Sequence, residues 1–102
     1  MAVWSFYFVR TRQNCLYAGI TTDVSKRFSE HQSGKKGAKY LRAKGPLQLV
    51  YSVDIGSRSL ASKVEYRVKR LTKIKKEQIV VEALSAKTLL ALLKLESFAE
   101  ED

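Results

Sequence analysis

The chain has 102 residues, enough for one hydrophobic core and too few for two independent ones. Hydrophobic residues make up 45% of it and aromatics 10%, and no apolar run approaches the ~18 residues of a membrane span, so a globular domain is expected and a membrane partner is not. The net charge of +9 is unevenly placed: residues 1–80 hold 17 basic and five acidic side chains, a net of +12, while residues 81–102 hold two basic and five acidic, a net of −3. Such an excess attracts polyanions and predicts salt-dependent nucleic-acid binding, against the plainer reading of a solvated basic surface.

The opening MAVWSFYFVR has no basic stretch ahead of its apolar run and no small-residue cleavage site, so it reads as mature sequence. One cysteine, Cys15, leaves no internal disulfide, and with the lone His31 it leaves no Cys/His zinc cluster. A cytoplasmic location is the expected setting.

Residues 3–10 and 14–21 are rich in aromatic and β-branched residues and flank the polar TRQN, which predicts a β-hairpin. Alternation puts Trp4, Phe6 and Phe8 on one face and Val3, Ser5, Tyr7 and Val9 on the other. In the second strand Leu16, Ala18 and Ile20 oppose Cys15, Tyr17 and Gly19. The greasier face should meet the helices, leaving Tyr7 and Tyr17 together on the less bulky one. Thr22 or Asp23 can cap a helix that runs to about Gln32 and stops at Ser33-Gly34. Val24 and Phe28 form its apolar stripe, and Arg27 and His31 repeat that spacing beside it.

Residues 34–45, GKKGAKYLRAKG, show no hydrophobic period and read as a functional or mobile connection. A strand at 47–53 follows Pro46. Ser57 or Ser59 should cap the next helix, up to about Leu71, with Leu60, Ala61, Val64, Val68 and Leu71 on one apolar arc. Glu65 lies at an edge of that arc and is the helix's only acidic residue. Thr72 restarts a helical pattern, and Ser85 or Ala86 starts a last amphipathic helix through LLALLKL. The acidic SFAEED tail is expected to fray.

The chemical inventory is narrow. There is no Gly-x-Ser-x-Gly elbow, no Walker loop and, ahead of the acidic tail, no carboxylate pair at helical spacing. What remains is two strand tyrosines, one Arg/His helix pair, one isolated glutamate and a basic surround. Each has an ordinary explanation: cross-strand packing for a tyrosine, a helix surface for the Arg/His pair, a weak ion pair with Lys69 at i+4 for Glu65. These features alone give a basic α+β domain that contacts nucleic acid.

Order and spacing add to this. Ser5-Phe6-Tyr7, followed ten residues later by Tyr17-Ala18-Gly19, resembles the paired motif of the GIY-YIG nuclease superfamily. The likeness continues through Thr22-Asp23-Val24-Ser25-Lys26-Arg27 and His31, then residues 33–40, then Ser59-Leu60-Ala61 leading to Glu65, in the manner of the short stand-alone bacterial members. It spans residue 3 to about residue 80, with Ser5 standing for the first glycine and Ala18 for the isoleucine of the name motif. The resemblance implies an α+β fold with a three-stranded antiparallel sheet flanked by helices. The nuclease-like domain would occupy residues 1–80, with residues 81–102 a helical extension and acidic tail packed on it or trailing it.

It also implies a metal-dependent endonuclease that hydrolyses phosphodiesters, on DNA more readily than RNA, with little sequence specificity and a place in repair or recombination. Glu65 would hold one Mg²⁺ or Mn²⁺, Arg27 the scissile phosphate, and Tyr7, Tyr17 and His31 would handle water and protons. Tyrosine is a weak base, since at an ordinary pKa near 10 its phenolate costs ~4 kcal/mol at pH 7. His31 is the easier proton acceptor, and Tyr17 is expected to orient or deprotonate water with its help, with Tyr7 close behind. Lys26, Lys35, Lys36, Lys39, Tyr40, Arg42 and Lys44 would track a phosphate backbone and stack a base. Two other readings stand beside this one: a nucleic-acid-binding module without catalysis, and an interaction subunit docking a protein partner through its last helix.

Overall fold

Two aromatic-rich segments fold back on each other to begin the sheet. In the computed structural model, which describes residues 2–34 and 36–95, β1 spans Trp4–Arg10 and β2 spans Leu16–Thr21, with Tyr7 directly across from Gly19. The third strand, β3, spans Gln48–Gly56 and pairs antiparallel with β1, giving the order β2-β1-β3 with β1 in the middle. β3 runs three residues past the expected 47–53. Asp54 pairs with Ser5 and accepts a 2.7 Å hydrogen bond from its hydroxyl, and Gly56 pairs with Trp4 beyond a register shift. Asp54-Ile55-Gly56 looks like a turn in sequence but is held as strand by these partners.

Four helices follow the capping signals. α1, Val24–Ser33, has Asp23 as its N-cap, accepting from the Lys26 amide, and ends at Gly34 in the left-handed region that glycine tolerates best. α2, Arg58–Lys69, is capped by Ser57; α3, Lys73–Glu82, by Thr72; and α4, Ala86–Leu92, by Ser85. The 34–45 connection is not wholly irregular, because Lys39–Leu41 forms one short 3-10 turn that buries Leu41.

Both faces of the sheet are covered. Phe6, Phe8 and Ala18 meet Val64 and Val68 of α2, Ile79 of α3, and Leu89 and Leu90 of α4 in the main core. On the other face Tyr7 and Val9 pack with Leu41 and Leu47, and with Tyr17, Val24 and Phe28 around them. The greasy face thus takes three helices, while α1 and the 34–45 connection close over the tyrosine face. The last helix corrects one expectation. Leu89, Leu90 and Leu93 are buried in the main core, so most of the apolar face of LLALLKL, expected to dock a protein partner, packs into the fold, and Leu92 is left exposed. The acidic tail and Lys35 lie outside the described residues. No helix among the described residues is long and apolar enough to cross a membrane.

Candidate active site

The site is built around one hydroxyl. Tyr7 is buried, and its ring lies over Gly19, the residue paired with it on β2; a Cβ at Gly19 would meet the ring's Cζ at 2.6 Å. The glycine retained in the second motif is therefore a consequence of the tyrosine in the first. The Tyr7 hydroxyl is 2.8 Å from Nε2 of His31 on α1. Burial, first of all, pushes Tyr7 up to about 12; the neighbouring Tyr17 and Glu65 push the same way, while the Arg27 guanidinium opposes by its charge and by hydrogen bonding to Tyr7. At pH 7 that value puts the phenolate about 7 kcal/mol uphill.

His31 is almost wholly buried, which lowers its pKa, and the positive charge of Arg27 lowers it further. Its Nδ1 accepts a 3.0 Å hydrogen bond from the Ala38 amide. A neutral imidazole carries a single proton, so that bond leaves the proton on Nε2, which donates to Tyr7. The loop can deliver the Ala38 amide there because Gly37 presses against α1: a Cβ on Gly37 would be 2.6 Å from the His31 Cα. His31, expected to be the readier proton acceptor, already spends its lone pair on the loop. Its geometry is that of a donor to Tyr7.

Arg27 is anchored by one nitrogen. Its Nη1 donates to Glu30 Oε1 at 2.9 Å and to the Lys36 carbonyl at 2.6 Å, which among the described residues leaves the N–H groups of Nε and Nη2 for Tyr7 and for an anion. Glu65 reaches the same neighbourhood from α2, at the edge of that helix's buried stripe, and its carboxylate is held by Lys69 at 3.1 Å. Tyr17 is half-buried, with its ring edge on His31 at 5.6 Å between centroids and its face stacked on Tyr40 at 5.9 Å and 15°. Lys44 sits over the Tyr40 ring, 5.1 Å from its centroid. Tyr7, Tyr17, Arg27 and His31 thus come together, with Glu65 near enough to act on Tyr7 by charge, and Tyr40 and Lys44 adjoin them. Lys26, Lys36, Lys39 and Arg42 are exposed, on α1 and the neighbouring loop.

Sequence reasoning missed three contributors. Glu30 holds Arg27 and could have been found at i+3; Gly37 and the Ala38 amide lie in a loop without a pattern, and a backbone amide has no sequence signature. The described residues contain no cluster of three or more His, Cys, Asp or Glu, so a cation beside Tyr7 would rest on the Glu65 carboxylate and its own waters. That carboxylate nonetheless already takes a cation, the Lys69 ammonium, and one carboxylate suits a Mg²⁺-type ion that keeps most of its waters.

Comparison with known proteins identifies the family. The GIY-YIG catalytic domain family model matches residues 3–78. A UPF0213 protein of Citrobacter koseri and the UPF0213 protein YhbQ of Escherichia coli K12 are each 54% identical over 94 residues, covering 92% of this chain and 93% of theirs. The solution NMR structure of the UPF0213 protein BH0048 from Bacillus halodurans is 42% identical, with a TM-score of 0.51 over 78% of this chain and 83% of that one. The solution NMR structure of EF2693 from E. faecalis is 33% identical, with a TM-score of 0.56 over 80% and 86%. The chain belongs to the GIY-YIG family of nuclease domains, and within it to the short stand-alone bacterial UPF0213 proteins.

Proposed function

We propose that this protein is a metal-dependent endonuclease that hydrolyses phosphodiesters in DNA with little sequence specificity. The observation that carries the reading is the buried Tyr7 hydroxyl 2.8 Å from His31 Nε2, with the Arg27 guanidinium beside it and Glu65 near enough to act on it by charge. Two of these groups, the His31 Nε2–H and the Arg27 guanidinium, favour negative charge on that oxygen. Neither can accept the tyrosine's own proton, which is left to point at water or at a substrate oxygen. Burial opposes ionisation in the free protein. A cation on Glu65 would cancel the charge of that carboxylate, one of the influences that raise Tyr7.

The geometry therefore favours Tyr7 over Tyr17 as the group beside the attacking water: once its own proton has left to solvent, the phenolate held by His31 and Arg27 can take one from that water. Tyr17 supports the His31 ring and carries Tyr40. The free N–H groups of Arg27 hold the scissile phosphate and stabilise charge as it builds in the transition state. Glu65 would hold a divalent ion, Mg²⁺ or Mn²⁺, which when bound supplies charge neutralisation at the phosphate and leaving oxygen. Lys26, Lys36, Lys39, Arg42 and Lys44 guide the backbone, and Tyr40 offers a base the face that Lys44 covers once Lys44 turns to a phosphate. Phosphate contacts position the strand without reading it, which is why little sequence preference is expected.

The test is a panel of single-stranded, duplex, flapped and branched DNA, with RNA beside it, incubated with wild type and Glu65→Ala in Mg²⁺ or Mn²⁺. Cleavage by the wild type alone supports the reading. Salt-dependent binding without cleavage, unaffected by Glu65→Ala, would make the domain a binding module. Equal cleavage by both proteins would remove Glu65 from the chemistry.

A further inference from the structure

We infer that the outward face of α2, built by Lys63, Tyr66 and Arg70, is a second nucleic-acid contact surface that carries the strand past the site on the side of the sheet opposite the 36–44 loop. The inference rests on the nuclease reading and extends it to where the substrate goes.

Ala61, Val64 and Val68 fix the buried stripe of α2, and the helical period then orders everything else. Moving around the helix from Glu65 at the stripe's edge, Lys69 comes next, followed by Tyr66, Arg70 and Lys63 across the exposed side. The surface is therefore continuous with the site, because Lys69 touches Glu65 at 3.1 Å. Glu65 is the only acidic residue of the helix.

Folding does not account for this face. Arg67 has a structural task, since its guanidinium donates to the Leu93 and Lys94 carbonyls and holds the end of α4. Tyr66 has none of that kind: its ring is 63% exposed, with the Arg70 guanidinium 5.5 Å from its centroid. A solvent-facing aromatic backed by a cation is the combination that stacks a base and neutralises its phosphate. A cavity of about 270 Å³ between α2 and α4 opens beside the ring and is lined by Tyr66, Arg70, Leu92 and Lys94, among others. Lys63 and Arg70 stand seven residues apart, about 10 Å along the helix axis. That is about three nucleotides at a 3.4 Å rise per base. Charge selects the occupant: five cations and one carboxylate on α2 and its C-cap, Arg58 and Arg67 included, suit a polyphosphate strand.

The experiment measures the anisotropy of a fluorescent oligonucleotide in EDTA, where nothing is cleaved, across a salt series. Removing one cation that neutralises a phosphate should lower the slope of log affinity against log salt by about 0.7 to 0.9. Lys63→Gln with Arg70→Gln is expected to lower it by about 1.4 to 1.8, and Tyr66→Ala to weaken binding at least about fivefold. Lys63→Gln alone, at an exposed position, gives half the slope change if the double variant melts early. The reference is Lys39→Gln with Arg42→Gln on the loop. If the loop variant weakens binding while the α2 variants bind as wild type at every salt concentration, this surface is wrong and the nuclease reading stands. If the wild type binds no nucleic acid, both fall together.

Discussion

Gly19→Ala tests the packing that the site depends on. The added methyl would sit 2.6 Å from Tyr7 Cζ and 3.0 Å from Cε2, with the hydroxyl oxygen nearer still, where an ordinary contact begins at 3.4 Å. The obstacle is a rigid buried ring, so Tyr7 must move by about 1 Å. That shift would stretch the 2.8 Å bond to His31 beyond hydrogen-bonding range. Overpacking costs about 1–3 kcal/mol and the broken hydrogen bond about 1 kcal/mol, so the expected destabilisation is about 2–4 kcal/mol. For a domain of this size the thermal midpoint should fall by roughly 8 °C or more. Cleavage should fall as well, because the displaced hydroxyl leaves both His31 and Arg27. Circular dichroism melts and a nuclease assay on the same preparation provide the measurement. A variant that melts with the wild type and cleaves at its rate would refute the placement of Tyr7 over Gly19.

Three further outcomes are expected. The single histidine makes imidazole nitrogen NMR unambiguous: His31 should be neutral near pH 7 with its proton on Nε2, and a proton on Nδ1 would contradict the Ala38 bond. Glu77 is held down to about 2, chiefly by hydrogen bonds from Arg10, so its stabilisation is complete above the ordinary pKa of 4.5 and fades as pH falls toward 2. Glu77→Gln should therefore lose up to about 1 kcal/mol at pH 7 and almost nothing at pH 2, as read by urea melts; an equal loss at both would refute the assignment. Burial pushes Tyr7 and Tyr51 up to about 12, so the unfolded chain ionises first and stability should decline between pH 10 and 12. Phenolate absorbance should show a late step that shrinks in Tyr51→Phe, and an unchanged step would count against it.

Much of the site was legible because its signals are local. Period-2 alternation put Tyr7 and Tyr17 on one face, the i, i+4 spacing kept Arg27 with His31, and the helical wheel set Glu65 at the rim of a buried arc. The caps Asp23, Ser57, Thr72 and Ser85 were readable for the same reason. What sequence could not supply depends on partners distant along the chain. An amphipathic pattern says that LLALLKL has an apolar face but not that the main core already occupies it. The greasy strand face calls for helices, yet α1 and Leu41 also cover the other face. The proton position on His31, and with it the choice between the tyrosines, hangs on one loop amide.

Tyr7→Phe is the most direct test of the central claim. The substitution keeps the ring over Gly19 and removes only the oxygen on which His31 and Arg27 converge. Single-turnover cleavage of a labelled DNA substrate in Mg²⁺, with binding measured in parallel, should show near-normal affinity and cleavage reduced by at least about a hundredfold, the lower end of what a positioned proton-transfer group contributes. Cleavage by Tyr7→Phe at the wild-type rate would contradict the account.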